Sequence, residues 1–128
     1  MRPIKFRGKG PRTGNWFYGN LFIDMYGRTH IFSLEVGVLE VGPETIGQFS
    51  GLYDCNKKEI YEGDILKWIT GKMYVVKFWR GMFYASVEEC NEGILGCFPL
   101  HALTECEIVG NIFDNPELLK GGENEQDI

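Results

Sequence analysis

The chain has 128 residues, four cysteines and a net charge of −5. That length supports one domain, or two very small ones, with a real hydrophobic core. The acidic balance excludes a general polyanion binder, and no apolar run is long enough for a signal peptide or a membrane span. We therefore expect a cytoplasmic protein with free thiols.

Charge is distributed unevenly along the chain. Residues 1–80 carry a balance of +4 and residues 81–128 a balance of −9, and the first thirteen residues hold five cations and no acid. One interpretation is a local basic face on the first two-thirds of the chain. The other is that the basic start pairs with the acidic end, within one molecule or between subunits.

Aromatic residues at 14% and 17 glycines favour β structure with tight turns. Ile4–Arg7 alternates apolar and basic residues, which indicates an edge strand, and a loop is expected over 8–15. Trp16–Ile23 reads as a strand with a bulge at Gly19. Further strands of this N-terminal part are predicted at 29–33, 36–41 and 45–49.

The second part begins at a tight turn over Asp54–Lys57, and the Gly63-Asp64 pair leads into a strand at 65–69. Later elements are a hairpin of 73–79 with 82–87, strands at 94–98 and 106–112, a helical turn at 114–119, and a disordered acidic tail over 120–128.

A two-residue turn at Arg80-Gly81 sets the register of the hairpin. One face then pairs Phe78 with Phe83, Val76 with Ala85 and Tyr74 with Val87, and should lie on the core. The opposite face is more mixed and should be wetter. It pairs Trp79 with Met82, Lys77 with Tyr84, and Val75 with Ser86.

No motif of a catalytic or cofactor site stands out. The glycine-rich loop over 8–14 lacks the Gly-Lys-Ser/Thr ending of a phosphate cradle, and no helix follows it. Cysteines spaced by 35, 7 and 9 residues do not resemble a structural zinc site. No nucleophile elbow is present. We therefore expect a protein that is not an enzyme and that has no metal and no cofactor.

Carboxylates at Glu59, Glu62 and Asp64 could form an acid–base pair. The alternative is a solvated turn in which Asp64 accepts backbone N–H bonds. Structural roles in turns are accordingly predicted for Asp54, Asn56, Gly63 and Asp64.

The remaining candidate surface mixes cations with aromatic residues. Lys77, Trp79, Arg80 and Tyr84 could contact single-stranded nucleic acid, with cations on phosphates and aromatics on bases. Lys67, Trp68 and Lys72 have the same character on the neighbouring strand. The competing interpretation is that Trp68 and Trp79 complete a second small core.

The stretch Thr45-Ile-Gly-Gln-Phe-Ser-Gly-Leu-Tyr-Asp54, followed by Asn56 and Lys58-Glu-Ile-Tyr-Glu-Gly-Asp-Ile65, resembles the YopX family signature. Ile4–Arg7 resembles the opening strand of that family, and Glu107–Leu119 its closing segment. Its turn usually reads Asp-Lys-Asn-Gly-Lys-Glu, whereas here Cys55 and Lys57 replace the first Lys and the Gly. Asn56 or Lys57 must therefore hold any positive-φ position.

This resemblance implies a small β-rich protein encoded by phages or prophages, with no catalytic residues to carry over. We expect one mainly β domain over 1–119, with an N-terminal strand group (1–55) beside a small SH3-like barrel (56–112). The predicted function is a non-enzymatic accessory role in a host bacterial cytoplasm, through a protein partner or self-association. The alternative is weak, sequence-tolerant binding of single-stranded nucleic acid.

Overall fold

The computed structural model describes residues 3–86, 97–99 and 105–119. These residues are mainly β, as predicted. The strands are β1 (Phe6–Lys9), β2 (Trp16–Ile23), β3 (Thr29–Ser33), β4 (Gly37–Glu40), β5 (Gly47–Tyr53), β6 (Glu59–Tyr61), β7 (Asp64–Lys67), β8 (Met73–Trp79), β9 (Met82–Ser86), β10 (Cys97–Pro99) and β11 (Glu107–Asn111).

The strands form two sheets, with the orders β4-β3-β2-β1-β5-β6 and β10-β9-β8-β7-β11. Every strand pair with an assigned register is antiparallel. Neither order closes on itself within the described residues, so the two sheets are open and the SH3-like barrel stays a prediction.

The chain divides into two compact units, residues 1–51 and residues 52–128, and β5 crosses the division. The sequence suggested a division after residue 55. Each unit has buried side chains of its own, and each is described separately below.

The opening strand is central and not an edge, which corrects the prediction. β1 pairs with β2 through Phe6–Lys9 and with β5 through Phe6 and Arg7. The strand also extends through Gly8, where a loop was expected. A Cβ at Gly8 would lie 2.7 Å from a methyl group of Val41, so glycine lets the buried Val41 pack directly on the strand.

Gly19 marks the point at which β2 changes partner. Residues up to Gly19 pair with β1, and residues from Asn20 onward pair with β3. A Cβ at Gly19 would lie 2.1 Å from the carbonyl oxygen of Phe32, which leaves no room for any side chain. The glycine that suggested a bulge therefore permits a close approach of two backbones.

The strand predicted from Thr45 begins two residues later. Pro43–Thr45 forms a 3₁₀ turn, with Pro near its start, and β5 begins at Gly47. The buried Thr45 hydroxyl donates to Gly42 O (2.7 Å) and accepts from Lys9 N–H (2.9 Å). These bonds favour the turn over an early strand.

The core of the second unit lies on one face of the β7–β8–β9 sheet. Its buried members are Ile60, Leu66, Tyr74, Val76, Ala85 and Cys106. Trp68 packs against this cluster, with its ring centroid 6.4 Å from that of Tyr74. The core interpretation is thus correct for Trp68.

A short helical turn at residues 117–119 follows β11, which confirms the predicted C-terminal turn in shorter form. Asn115 Oδ1 accepts the Asn111 N–H (3.3 Å), and Leu119 N–H bonds Pro116 O (3.2 Å). The predictions for Val87, for the start of a strand at Ile94, and for the tail at 120–128 lie outside the described residues.

Candidate interaction site on the β8–β9 hairpin

The register of the β8–β9 hairpin is the predicted one. Val76 pairs with Ala85, Lys77 with Tyr84, Phe78 with Phe83 and Trp79 with Met82. Arg80 (φ 50°) and Gly81 (φ 80°) both have positive φ, which is the requirement of a type I′ turn. This two-residue loop fixes the hairpin register, and with it the face on which each side chain lies.

Burial varies along the hairpin rather than across it, which corrects the predicted wet face. Val75 (4% exposed) and Ser86 (0%) are buried, although they lie on the face that was expected to be wetter. Phe78, on the predicted core face, is 46% exposed. The base of the hairpin is therefore covered on both faces, and its far end is exposed on both.

We call the exposed far end the hairpin tip. It consists of Lys77, Phe78, Trp79, Arg80, Gly81, Met82, Phe83 and Tyr84. Trp79 is 44% exposed, so the core interpretation is wrong for this tryptophan. Its exposure singles out the tip as the part of the second unit where large aromatic side chains meet solvent.

Aromatic rings hold one another in place at the tip. The Trp79 and Tyr84 rings meet edge to face with centroids 6.3 Å apart, and Phe78 and Phe83 do so at 4.8 Å on the opposite face. The Arg80 guanidinium lies over the Trp79 ring, 4.6 Å from its centroid. The tip is thus an ordered cluster with one cation stacked on its exposed tryptophan.

The other basic and aromatic candidates do not join the tip. Trp68 belongs to the core, while Lys67 is exposed and Lys72 lies in the turn before β8. Of the predicted nucleic-acid residues, Lys77, Trp79 and Tyr84 share one face by their register, and Arg80 stacks on Trp79.

A second concave feature lies in the first unit, where a cavity of about 410 Å³ is bounded by residues 9–14 and 42–45. Lys9 and Arg12 line it, but so does Glu44. The mixed charge does not select an anionic ligand.

The turn that joins β5 to β6 is organised by Asp54. Its Oδ1 accepts the N–H groups of Asn56 and Lys58, both at 2.8 Å, and its Oδ2 accepts the Ile108 N–H at 3.0 Å. The carboxylate thus shapes its own turn and also holds the start of β11. The Asn56 side chain bonds Glu107 Oε2 (3.3 Å) across the same junction.

The next turn uses Gly63 and Asp64. Gly63 has a φ of 96°, donates its N–H to Val76 O and accepts from Ile112 N–H. The buried Asp64 accepts the Tyr61 N–H at 2.8 Å, and Glu59 accepts from the Tyr61 hydroxyl at 3.0 Å. Both carboxylates imagined as catalysts therefore serve Tyr61 and the turn.

A family model described as YopX protein matches residues 5–120. The chain belongs to the YopX family. A crystal structure of protein EF1440 from Enterococcus faecalis has a TM-score of 0.58 with this chain, at 24% sequence identity. The similarity covers 93% of this chain and 99% of that one, and it concerns the fold alone. No curated protein sequence matches the chain significantly.

One departure from the YopX turn pattern is now located. Lys57, and not Asn56, holds the positive φ, at 65°. Lys57 N–H bonds Asp54 O, and Asp54 N–H bonds Lys58 O, so a β-turn is followed by one left-handed residue. Glycine is favoured there, and the family pattern has glycine at this position.

Sequence reasoning missed a second aspartate of this kind in the YopX chain. Asp24 Oδ1 accepts the N–H groups of Tyr26 (2.8 Å) and Arg28 (2.9 Å), as Asp54 does in its own turn. Its Oδ2 lies 3.0 Å from His30 Nε2 and 3.2 Å from Arg28 Nε. The hydrogen bond to His30, helped by the two backbone bonds, holds the pKa of Asp24 well below its ordinary value.

Among residues 3–86, 97–99 and 105–119, no three His, Cys, Asp or Glu side chains are grouped as metal ligands would be. Cys90 and His101 lie outside these ranges. Cys106 is buried, which raises the pKa of its thiol, and the nearby Cys55 adds to the effect. None of the described helical segments is long and apolar enough to cross a membrane.

Proposed function

We propose that this YopX protein is a non-enzymatic accessory protein of phage or prophage origin that binds a protein partner through the hairpin tip. The observation that carries the proposal is the exposed Trp79, ordered by Arg80 above its ring and Tyr84 at its edge. The SH3-like arrangement of the second unit belongs to the same proposal.

The composition of the tip supports a protein partner. Aromatic residues, Met and Arg are enriched at protein interfaces, and Trp, Tyr and Arg dominate their hot spots. Five of the side chains at the tip are aromatic or Met, against two cations. The rings are already packed, so little side-chain entropy is lost on binding.

The first experiment compares wild type, Trp79→Ala and Ile69→Ala as baits. Ile69 is also exposed and lies in the β7–β8 turn, so it serves as a matched apolar control. A protein retained by wild type and by Ile69→Ala, but lost by Trp79→Ala, is then purified and its affinity measured. Removing a hot-spot tryptophan should weaken that affinity by ~30-fold or more.

Arg80→Asn separates the cation from the shape of the turn. Asn-Gly is the preferred type I′ pair, so the hairpin should fold at least as well. The purified partner should nevertheless bind this variant less tightly. Retention of the same proteins by wild type and Trp79→Ala would contradict the proposal.

A second candidate function is favoured by one specific observation. Lys77, Trp79 and Tyr84 lie on one face with Arg80 beside them, as a single-strand contact requires. Fluorescence anisotropy with labelled oligothymidylate should then show binding at ~50 mM salt. Two neutralised phosphates predict a slope of log affinity against log salt of about −1.4.

The oligonucleotide experiment also separates the two candidates. Trp79→Ala should weaken the complex through lost stacking, and Lys77→Gln should reduce the salt slope by about half. Absence of binding at ~50 mM salt, where such contacts are strong, would rule out the nucleic-acid function and leave the protein-partner proposal intact.

A further inference from the structure

The outer face of β2–β4 in the first unit is apolar and exposed. By strand register one face carries Tyr18, Phe22, Phe32 and Val38, with exposed fractions of 49%, 50%, 38% and 55%. The opposite face carries Ile31, which is completely buried. We use "outer face" for the side with these four residues.

Such a face is unusual in an antiparallel sheet with one packed side. The solvent side of such a sheet normally carries polar residues, and a contiguous exposed apolar patch marks an interaction surface. Two aromatic rings and one valine lie on neighbouring strands here. His30, whose ring centroid lies 5.6 Å from that of Phe22, and Glu40 are the ionisable side chains between and beside them.

Two cross-strand pairs make the outer face complementary to itself. Phe32 pairs directly with Val38, and His30 pairs directly with Glu40, between β3 and β4. A two-fold axis that runs parallel to the strands, midway between β3 and β4, exchanges the members of each pair. Phe32 then packs on the partner's Val38, and His30 meets the partner's Glu40.

We propose that the outer face binds the same face of a second copy of this chain about that axis. Two sheets pack face to face at ~10 Å with their strands nearly aligned, a distance that aromatic side chains fill. The charge pattern favours a second copy, because an imidazole faces a carboxylate twice and no like charges face each other. The arrangement is isologous and closes as a dimer.

The size of the face sets the expected strength. Three short strands present much less than the ~800 Å² per partner of a standard interface. We therefore expect a reversible dimer with a dissociation constant of about 10–100 μM, similar to weak transient contacts. The hairpin tip takes no part in it, so the proposal stands independently of the proposed function.

Sedimentation equilibrium over a concentration range of about 10–500 μM tests the dimer, because this range brackets the expected dissociation constant. Val38→Lys places a charge opposite the partner's Phe32 at two symmetric positions. It should raise the dissociation constant by ~10-fold or more. Phe32→Ser should do the same. Ile69→Lys makes an equivalent change at an exposed site of the second unit and should leave the dimer unchanged.

The two variants also identify the surface. β4 is the last strand of its sheet, so two copies could instead pair edge to edge through β4. Phe32 is on the inner strand β3, so edge pairing would survive Phe32→Ser. A dimer that survives this variant, one insensitive to both variants, or a wild-type monomer throughout the range would each overturn the proposal. Far-UV circular dichroism checks that each variant is folded.

Discussion

Three turns of this protein share one backbone pattern, and they differ at a single residue. Asp24–Arg28, Asp54–Lys58 and Trp68–Lys72 each have an N–H from the first residue to the fifth carbonyl and one from the fourth residue to the first carbonyl. The fourth residue has positive φ in all three: Gly27 (83°), Lys57 (65°) and Gly71 (89°). Lys57 is the residue with a Cβ at this strained position.

Lys57→Gly should therefore stabilise the protein. A side chain in the left-handed region costs ~1–2 kcal/mol, and the entropy of glycine in the unfolded chain returns part of that, which leaves a net gain of ~0.5–1 kcal/mol. Urea unfolding should show a higher midpoint. Lys57→Ala removes the same side chain but keeps the Cβ, so it should show no comparable gain; equal midpoints for the two would contradict the argument.

Asp54 is the residue whose loss should cost the most among the turn residues. Asp54→Ala removes acceptors for Asn56, Lys58 and Ile108, and bonds to a charged acceptor contribute more than neutral ones. We expect destabilisation by ~2–4 kcal/mol in urea unfolding.

Asp24→Ala is the matched control for this variant. It removes the same pair of local N–H bonds, but Asp24 does not hold a backbone N–H of a distant strand. Its effect should be smaller. If the two variants were equally destabilised, the bond from Ile108 to Asp54 would contribute nothing.

At the scale of elements, β2 shows what the residue pattern predicts and what it leaves open. The alternation of residues predicts Trp16–Ile23 as a strand, and β2 has these bounds. Nothing in the alternation shows that the strand serves β1 with one half and β3 with the other. That depends on Gly19, where the backbone of β3 approaches too closely for a side chain.

Gly19→Ala should therefore disrupt the β2–β3 pairing. A Cβ 2.1 Å from Phe32 O forces the strands apart, and we expect a loss of ~2–4 kcal/mol in stability. Gly27→Ala is the comparison, because a Cβ there meets no atom within 4 Å and only the positive φ is strained. A milder effect at Gly19 than at Gly27 would contradict the close approach.

The β2–β3 hairpin should also respond to acid through Asp24. Its folded-state pKa lies below the ordinary value of 3.8, so the ionised form stabilises the folded state. That contribution is fully present above the unfolded pKa and is lost as the pH falls through the folded pKa. The difference in urea midpoint between wild type and Asp24→Asn should thus be largest near neutral pH and shrink in acid.

The Asp24 carboxyl can also be titrated directly. Its ¹³C resonance should change with a midpoint well below 3.8. His30→Ala removes the largest cause of the shift and should bring the midpoint closer to that value. A midpoint at the ordinary value in wild type would show that the His30 contact does not persist in solution.

For the whole molecule, thiol chemistry reports the integrity of the second unit. Cys106 is fully buried and the pKa of its thiol is raised, whereas Cys55 is exposed. Since the thiolate is the reacting species, maleimide labelling resolved by peptide mass spectrometry should modify Cys55 at least ~100-fold faster than Cys106. In denaturant both should label at similar rates; rapid labelling of Cys106 without denaturant would place the core in frequent local opening.

The whole-molecule features also separate what could be predicted from what could not. The register of the β8–β9 hairpin followed from Gly81, because a two-residue loop allows one pairing. The exposure of its two faces did not follow, because Val75 and Ser86 are buried by packing beyond the hairpin. For the same reason Trp68 and Trp79, which look equivalent in sequence, differ: one packs on the core and the other is held at the tip by Tyr84 and Arg80.

The sequence by itself determined the local structure of this protein: strand positions from alternation, turns from Gly, Asp and Asn, and the YopX family from the motif around Asp54 and Gly63. These depend on neighbours along the chain. Only the tertiary structure decided that β1 is central, that Gly19 admits a neighbouring backbone, and that aromatic residues remain exposed at the hairpin tip and on the outer face. Burial depends on residues distant in sequence, and one residue's chemistry does not reveal which of them will cover it.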